Sequence, residues 1–84
     1  MTLLWPEGIL IEVYSDATAT PQAFVWQEQV HHIYTVTNRW RVDQDWWQRQ
    51  VWREYFKLTT QTGLLVIIYQ DLLSKCWYLQ RLYD

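Results

Sequence analysis

Short runs of period-two alternation, each closed by turn-forming residues, constrain this chain more than any other feature. In "ILIEVY" (Ile9 to Tyr14), Ile9, Ile11 and Val13 alternate with Leu10, Glu12 and Tyr14. "WREYFKLTT" sets Trp52, Glu54, Phe56 and Leu58 opposite Arg53, Tyr55, Lys57 and Thr59, and "CWYLQRLY" alternates to Tyr83. Side chains two apart share one face of a strand, so each run describes a half-buried strand. "SDATATPQ" (Ser15 to Gln22) reads as a loop, and "AFVWQEQVHHIYTVTNRWRV" (Ala23 to Val42) as two strands with a turn around Gln27 to Gln29. From Val30 onward, Val30, His32, Tyr34 and Val36 fall on one face, and His31, Ile33, Thr35 and Thr37 on the other. "TTQTG" makes a hairpin with Gly63 at the special backbone position, and "DLLSK" makes the next turn. Between them "LLVIIYQ" is apolar on both faces, as a strand covered on both sides would be.

One stretch, "DQDWWQRQVWREYF" (Asp43 to Phe56), admits two readings. Trp47, Val51, Tyr55 and Leu58 are spaced to form a helical stripe, with Asp43 or Asp45 as the cap. The alternation from Trp52 into the Gly63 hairpin favours instead a strand end, a turn and the next strand. The expected fold is therefore all-β: a small, strongly bent antiparallel meander of five or six strands. It forms a closed or partly open barrel, SH3-like in size, as a single β domain over residues 1–84. Its filling is expected from Trp26, Tyr34, Trp40, Phe56, Val66, Ile68 and Tyr78, or from their neighbours one register away.

Eighty-four residues allow one domain with a marginal core. Seven Trp, six Tyr and two Phe compensate, since each ring can bury roughly 150–250 Å². A formal net charge of −2 argues against a general polyanion binder. Even so, Arg39, Arg41, Arg49, Arg53 and Lys57 concentrate basic charge in one region, with Asp43, Asp45 and Glu54 among them. The single cysteine, Cys76, fits a reducing compartment. "MTLLWPEG" lacks the features of a secretory leader, and the longest apolar run, "LLVIIY", is too short to span a bilayer. A cytoplasmic protein with no membrane association is expected.

The candidate partner-binding residues are Trp46, Trp47, Arg49, Arg53, Tyr55 and Lys57. Adjacent residues on a strand point to opposite faces, so at most one of Trp46 and Trp47 enters the core. The other is left for a partner, as exposed Trp often is. Arg49 and Arg53 either stack on these rings or pair with Asp45 and Glu54. Alternatively Arg53, Tyr55 and Lys57, alternating on one face, meet a nucleic-acid backbone or a protein carboxylate. His31 and His32 diverge on a strand, and Cys76 has no second thiol or spaced His, so no metal site is expected. Ser15 and Ser74 have no nearby base, Asp43 and Asp45 no evident acid partner, and Gly8 and Gly63 make no phosphate loop. A non-enzyme without cofactor follows.

From Trp46 onward the order of parts is "WWQRQVWREYF", then Gly63, then "LVIIYQD", then "WYL" at Trp77 to Leu79. This resembles the C-terminal tail of the catalytically inactive, ImuB-like Y-family polymerase subunit of the bacterial SOS mutasome. It resembles more closely a family of small stand-alone bacterial domains of unknown function, often encoded beside that subunit. In that family an upstream aromatic strand precedes "WR", a place that "FVWQEQVHHIYTVTNRWR" fits. The resemblance covers roughly residues 23 to 84 and leaves out the first strand. Many relatives carry a glycine soon after the Trp pair, where this chain has Gln48, Arg49 and Gln50.

The resemblance implies a non-catalytic interaction module, accessory to SOS mutagenesis or translesion DNA repair. Its partner would be a protein, a mutasome component, docked around Trp47, Arg49, Arg53 and Tyr55. The alternative is single-stranded nucleic-acid binding by the same aromatic and basic face. A third reading is a homodimer formed through an exposed edge strand.

Overall fold

The computed structural model describes the backbone of residues 2–46 and 49–83, and the side chains among them outside 45–49. Six strands account for most of it: β1 (Thr2–Ser15), β2 (Pro21–Trp26), β3 (Gln29–Trp46), β4 (Arg49–Thr60), β5 (Leu65–Asp71) and β6 (Trp77–Tyr83). Residues 43–46 and 49–58 are extended, so the helical stripe is not formed, and the all-β expectation holds. Each strand pairs antiparallel with the next, and β6 returns to β1, closing the sheet on itself. Among the described residues no helix is long and apolar enough to cross a membrane.

Two strands change partner to achieve closure. Thr2–Leu4 and Ile9–Ile11 of β1 pair with β6, and Glu12–Ser15 pair with β2. Gln29–His32 of β3 pair with β2, and the strand from Ile33 to Trp46 pairs with β4. The short β2 thus bridges two longer strands whose remaining lengths diverge.

The interior holds Phe24, Phe56, Leu58, Val66, Ile68, Trp77, Leu79 and Leu82, with Ile9, Ile11, Val13, Trp26, Ile33 and Val36 packed against them. Ile9, Ile11 and Val13 turn inward as their alternation requires. Fully burying a side chain such as Phe56 contributes about 1.5–3 kcal/mol; β2, β4, β5 and β6 supply the buried side chains of the cluster, and β1 and β3 add partly buried ones.

Three expected core residues lie elsewhere. Tyr34 is 75% exposed and Trp40 40% exposed, while Tyr78 lies on the outer face between the inward Trp77 and Leu79. For β3 the reason is a pair of register shifts, at Ile33/Thr35 and Val36/Asn38. An extra residue in one strand reverses the faces that follow it. Ile33 and Val36 therefore both point inward, against simple alternation, and the second shift restores the original parity. Arg39 then lies over the Phe56 ring, 5.1 Å from its centroid, with Trp40 on the outside.

The first strand begins at Thr2, ahead of the alternating run at Ile9. Its register shifts between Leu4 and Ile9, where Trp5, Pro6, Glu7 and Gly8 intervene. Proline, with no N–H to donate, is tolerated at such an irregularity. Gly8 adopts φ +76°, and a Cβ there would meet Tyr78 Cβ at 2.8 Å and the Tyr69 ring at 3.0 Å. The Tyr69 hydroxyl donates to the Glu7 carbonyl at 2.8 Å, fixing the bulge against β5. Trp5 meets Trp26 edge-on, with centroids 6.0 Å apart. At the β2–β3 turn Gln27 (φ 52°) and Glu28 (φ 63°) are both left-handed, the twist a two-residue hairpin demands.

Candidate interaction face

The alternation of β4 places Arg53, Tyr55 and Lys57 on the outer face of the sheet, opposite Phe56 and Leu58. On that face the register aligns one ring from each of four strands: Trp40↔Tyr55, Tyr55↔Tyr69 and Tyr69↔Tyr78. Their centroids are separated by 5.3, 5.1 and 5.1 Å, with interplanar angles of 5°, 34° and 21°. Cross-strand aromatic pairs of this kind are worth about 0.5–1.5 kcal/mol each beyond area burial. The exposed Leu10, opposite Tyr78, ends the row.

This row changes the role of two candidate residues. Tyr55 is buried between Trp40 and Tyr69, so its ring faces are occupied within the fold. Arg53 donates to the Tyr55 hydroxyl at 3.3 Å and stacks over Tyr69, 4.6 Å from its centroid. The ring under Arg53 is thus Tyr69, where the sequence reading has it on the Trp46–Trp47 rings or paired with Asp45 or Glu54. Burial lowers the Arg53 pKa, but the Tyr55 hydrogen bond and neighbouring groups outweigh it and leave it raised. Tyr69, only 2% exposed, has its phenol pushed up by burial despite the opposing pull of Arg53. Lys57 is partly exposed beside them.

Among the described side chains, which leave out Arg49, Glu54 does not pair with Arg53. Arg53 is its chain neighbour and lies across the sheet. Its partners are Arg39 (3.0 Å) and Arg41 (3.3 Å) on β3. Burial pushes the Glu54 carboxyl up, but the bonds from Arg39 and then Arg41 outweigh it, so its pKa falls below the ordinary value. At 8% exposure Glu54 is a buried charge, whereas its partners are half-exposed and keep much of their hydration. Arg41 also lies 6.0 Å from the Trp52 ring centroid. The signal for this cluster was available: with a two-residue connection after Trp46, counting outward pairs Arg41 with Glu54 and Arg39 with Phe56.

The hairpin of β3 and β4 outruns the rest of the sheet. Pairing of β4 with β5 ends at Arg53↔Asp71, and Leu72 N–H still reaches the Trp52 carbonyl at 2.9 Å. Beyond it only Gln44↔Val51, Asp45↔Gln50 and Trp46↔Arg49 continue, as a two-stranded arm. Trp47 and the side chains of Trp46 and Arg49, three of the candidate contacts, lie outside the described residues.

His31 stacks on Phe24 at 5.1 Å while His32 is exposed, the divergence expected of adjacent strand residues. Among the described residues no group of three His, Cys, Asp or Glu is arranged to hold a metal. An open groove of about 510 Å³ lies where β1 leaves β6 for β2, lined by Leu10, Glu12, Val25, Lys75, Cys76 and Trp77 among others.

No curated protein and no solved structure matches the chain. The family model of a domain of unknown function (DUF6504) matches residues 9–84, taking in the part of β1 from Ile9 onward, and the chain belongs to that family.

Proposed function

We propose that the domain is a non-catalytic module that binds a protein, and that its partner belongs to the bacterial SOS mutagenesis or translesion-repair apparatus. The observation that carries the binding reading is the arm. Beyond Trp52, the described part of β4 has β3 alone beside it, and the hairpin sequence there is the Trp46, Trp47 and Arg49 stretch. Aromatic and arginine residues dominate interaction hot spots, and a projecting hairpin can enter a partner's groove. Arg53 and Lys57 continue the basic character along the outer face at its base. Tyr55 supports that face from within the aromatic row. The identity of the partner rests on the resemblance of the stretch from Trp46 onward to the mutasome tail.

Calorimetric titration of purified mutasome components into the domain, and into its Trp47→Ala variant, tests this. Binding of one component, weakened at least tenfold by the substitution, is the expected result. Absence of binding to every component, or binding unchanged by Trp47→Ala, refutes it. The single-strand reading has less to work with, because both faces of the Tyr55 ring are covered by Trp40 and Tyr69 and cannot stack on a base. It requires salt-sensitive quenching of tryptophan fluorescence by oligonucleotides.

A further inference from the structure

Among the described residues the closed sheet leaves two long strand edges without a neighbour, that of β1 before Glu12 and that of β3 after His32. β3 meets β2 through Gln29–His32, and from Ile33 onward its only paired neighbour is β4. β3 makes no packing contact with β1, the other strand that β2 bridges. In an antiparallel ladder every second residue turns its N–H and C=O away from the partner strand. Along the far side of β3 those groups have no strand to bond, which is the ordinary route to edge-to-edge pairing. The two register shifts disrupt the first part of this edge. The stretch Asn38–Trp46 is regular, and Trp40, Arg41, Asp43 and Gln44 along it are exposed.

The residues of this regular stretch complement themselves. Its centre is Val42, with Arg39 and Arg41 before it and Asp43 and Asp45 after it. We propose that two copies of this chain pair antiparallel along β3, with Val42 on the two-fold axis. That register sets Arg41 opposite Asp43 and Arg39 opposite Asp45, and the symmetry makes each pairing twice. It also sets Trp40 opposite Gln44 on the outer face, and Asn38 opposite Trp46. Glu54 bonds both Arg39 and Arg41, so two cations share one internal carboxylate and retain positive charge for a second chain.

Symmetry sharpens the choice of register. A two-fold axis normal to the sheet must pass through a self-opposed residue, so neighbouring registers differ by moving that centre one residue. Centring on Arg41 sets that arginine against itself, and centring on Asp43 sets the aspartate against itself. Like charges directly opposite are unfavourable, and both alternatives halve the opposite-charge pairs they replace. The Val42 register has four such pairs and no like-charge pair. The partner is therefore a second copy of the same strand, docked on the β3 side of the hairpin; this surface shares the arm's β3 strand with the site assigned to a different protein and leaves out Arg53 and Lys57 of β4.

Sedimentation of the intact chain is expected to show a monomer–dimer equilibrium. Asp43→Arg, an exposed change that spares the Glu54 cluster, is expected to weaken the dimer roughly tenfold or more, since symmetry counts each exchange twice. In a Cys76→Ser background, Val42→Cys is expected to form a disulfide-linked dimer on mild oxidation. Opposed antiparallel residues lie about 4.5–5.5 Å apart between Cα atoms, within disulfide reach. Gln44→Cys is not, because its copy lies about 13 Å along the paired strand. A chain that stays monomeric at every concentration overturns the proposal. So does a dimer indifferent to Asp43→Arg, or one cross-linked as readily at 44 as at 42.

Discussion

Replacing Gly8 by alanine should cost far more than the same change at Gly63, although both glycines have positive φ (+76° and +92°). At Gly63 a Cβ would meet nothing within 4 Å, so only the backbone penalty remains. A left-handed residue with a Cβ costs about 1–2 kcal/mol, offset by about 0.5 kcal/mol from the stiffer unfolded chain. At Gly8 the new Cβ would stand 2.8 Å from Tyr78 Cβ and 3.0 Å from the Tyr69 ring. Neither neighbour can yield easily. Tyr78 Cβ is tied to the β6 backbone, and Tyr69 is held by its stack and its bond to Glu7. Overpacking of this kind adds about 1–3 kcal/mol, for a net loss of about 1.5–4.5 kcal/mol at Gly8 against about 0.5–1.5 at Gly63. For a chain of 84 residues the unfolding entropy is about 0.18 kcal/mol/K, which converts these into falls in Tm of roughly 8–25 °C and 3–8 °C. Thermal unfolding followed by circular dichroism at neutral pH reads both. If Gly8→Ala melts no lower than Gly63→Ala, the bulge is not packed against the tyrosine row and the reasoning fails.

Glu54→Gln should lower stability by about 1–3 kcal/mol at pH 7, because the carboxylate's charge and one of its two arginine bonds are lost and an amide NH2 is turned toward a guanidinium. The folded pKa lies below the unfolded value of about 4.3, so the wild-type advantage is full above that pH and shrinks as pH falls through the folded pKa. Melting curves for both proteins that run parallel down to acid conditions would contradict it. Changing Gln27 to Asn and Glu28 to Gly, where both residues are left-handed, should raise stability by about 0.5–2 kcal/mol. A lower Tm in the double variant would count against that turn.

The hairpin of β3 and β4 was legible because alternation and register need only the chain itself. Once Trp46 ends one strand and Arg49 begins the next, every pair from Asp45↔Gln50 to Arg39↔Phe56 follows by counting. The faces of Tyr34 and Trp40 were not legible, because bulges at Ile33/Thr35 and Val36/Asn38 depend on how the curving sheet accommodates its neighbours. The opening of β1 was hidden for a similar reason. Pro6 and Gly8 read as a lead-in, yet they form an irregularity between two paired segments. For the candidate site, the outward direction of Arg53, Tyr55 and Lys57 was readable from their spacing. That Tyr55 is nonetheless buried was not, since Trp40, Tyr69 and Tyr78 come from strands distant in sequence. An outer face can cover its own rings when each strand supplies one at the same level.

Closure through β1 and β6 has a consequence for how the molecule is made. Thr2 bonds beside Tyr83 and Ile9 beside Leu79, so β6 must have left the ribosome before the ring can shut. Joining such distant segments costs about 2 kcal/mol more loop entropy than forming a ten-residue hairpin. The nascent protein therefore spends its synthesis with the β1 flank bare, a window in which a chaperone or a neighbouring nascent strand has first access to it.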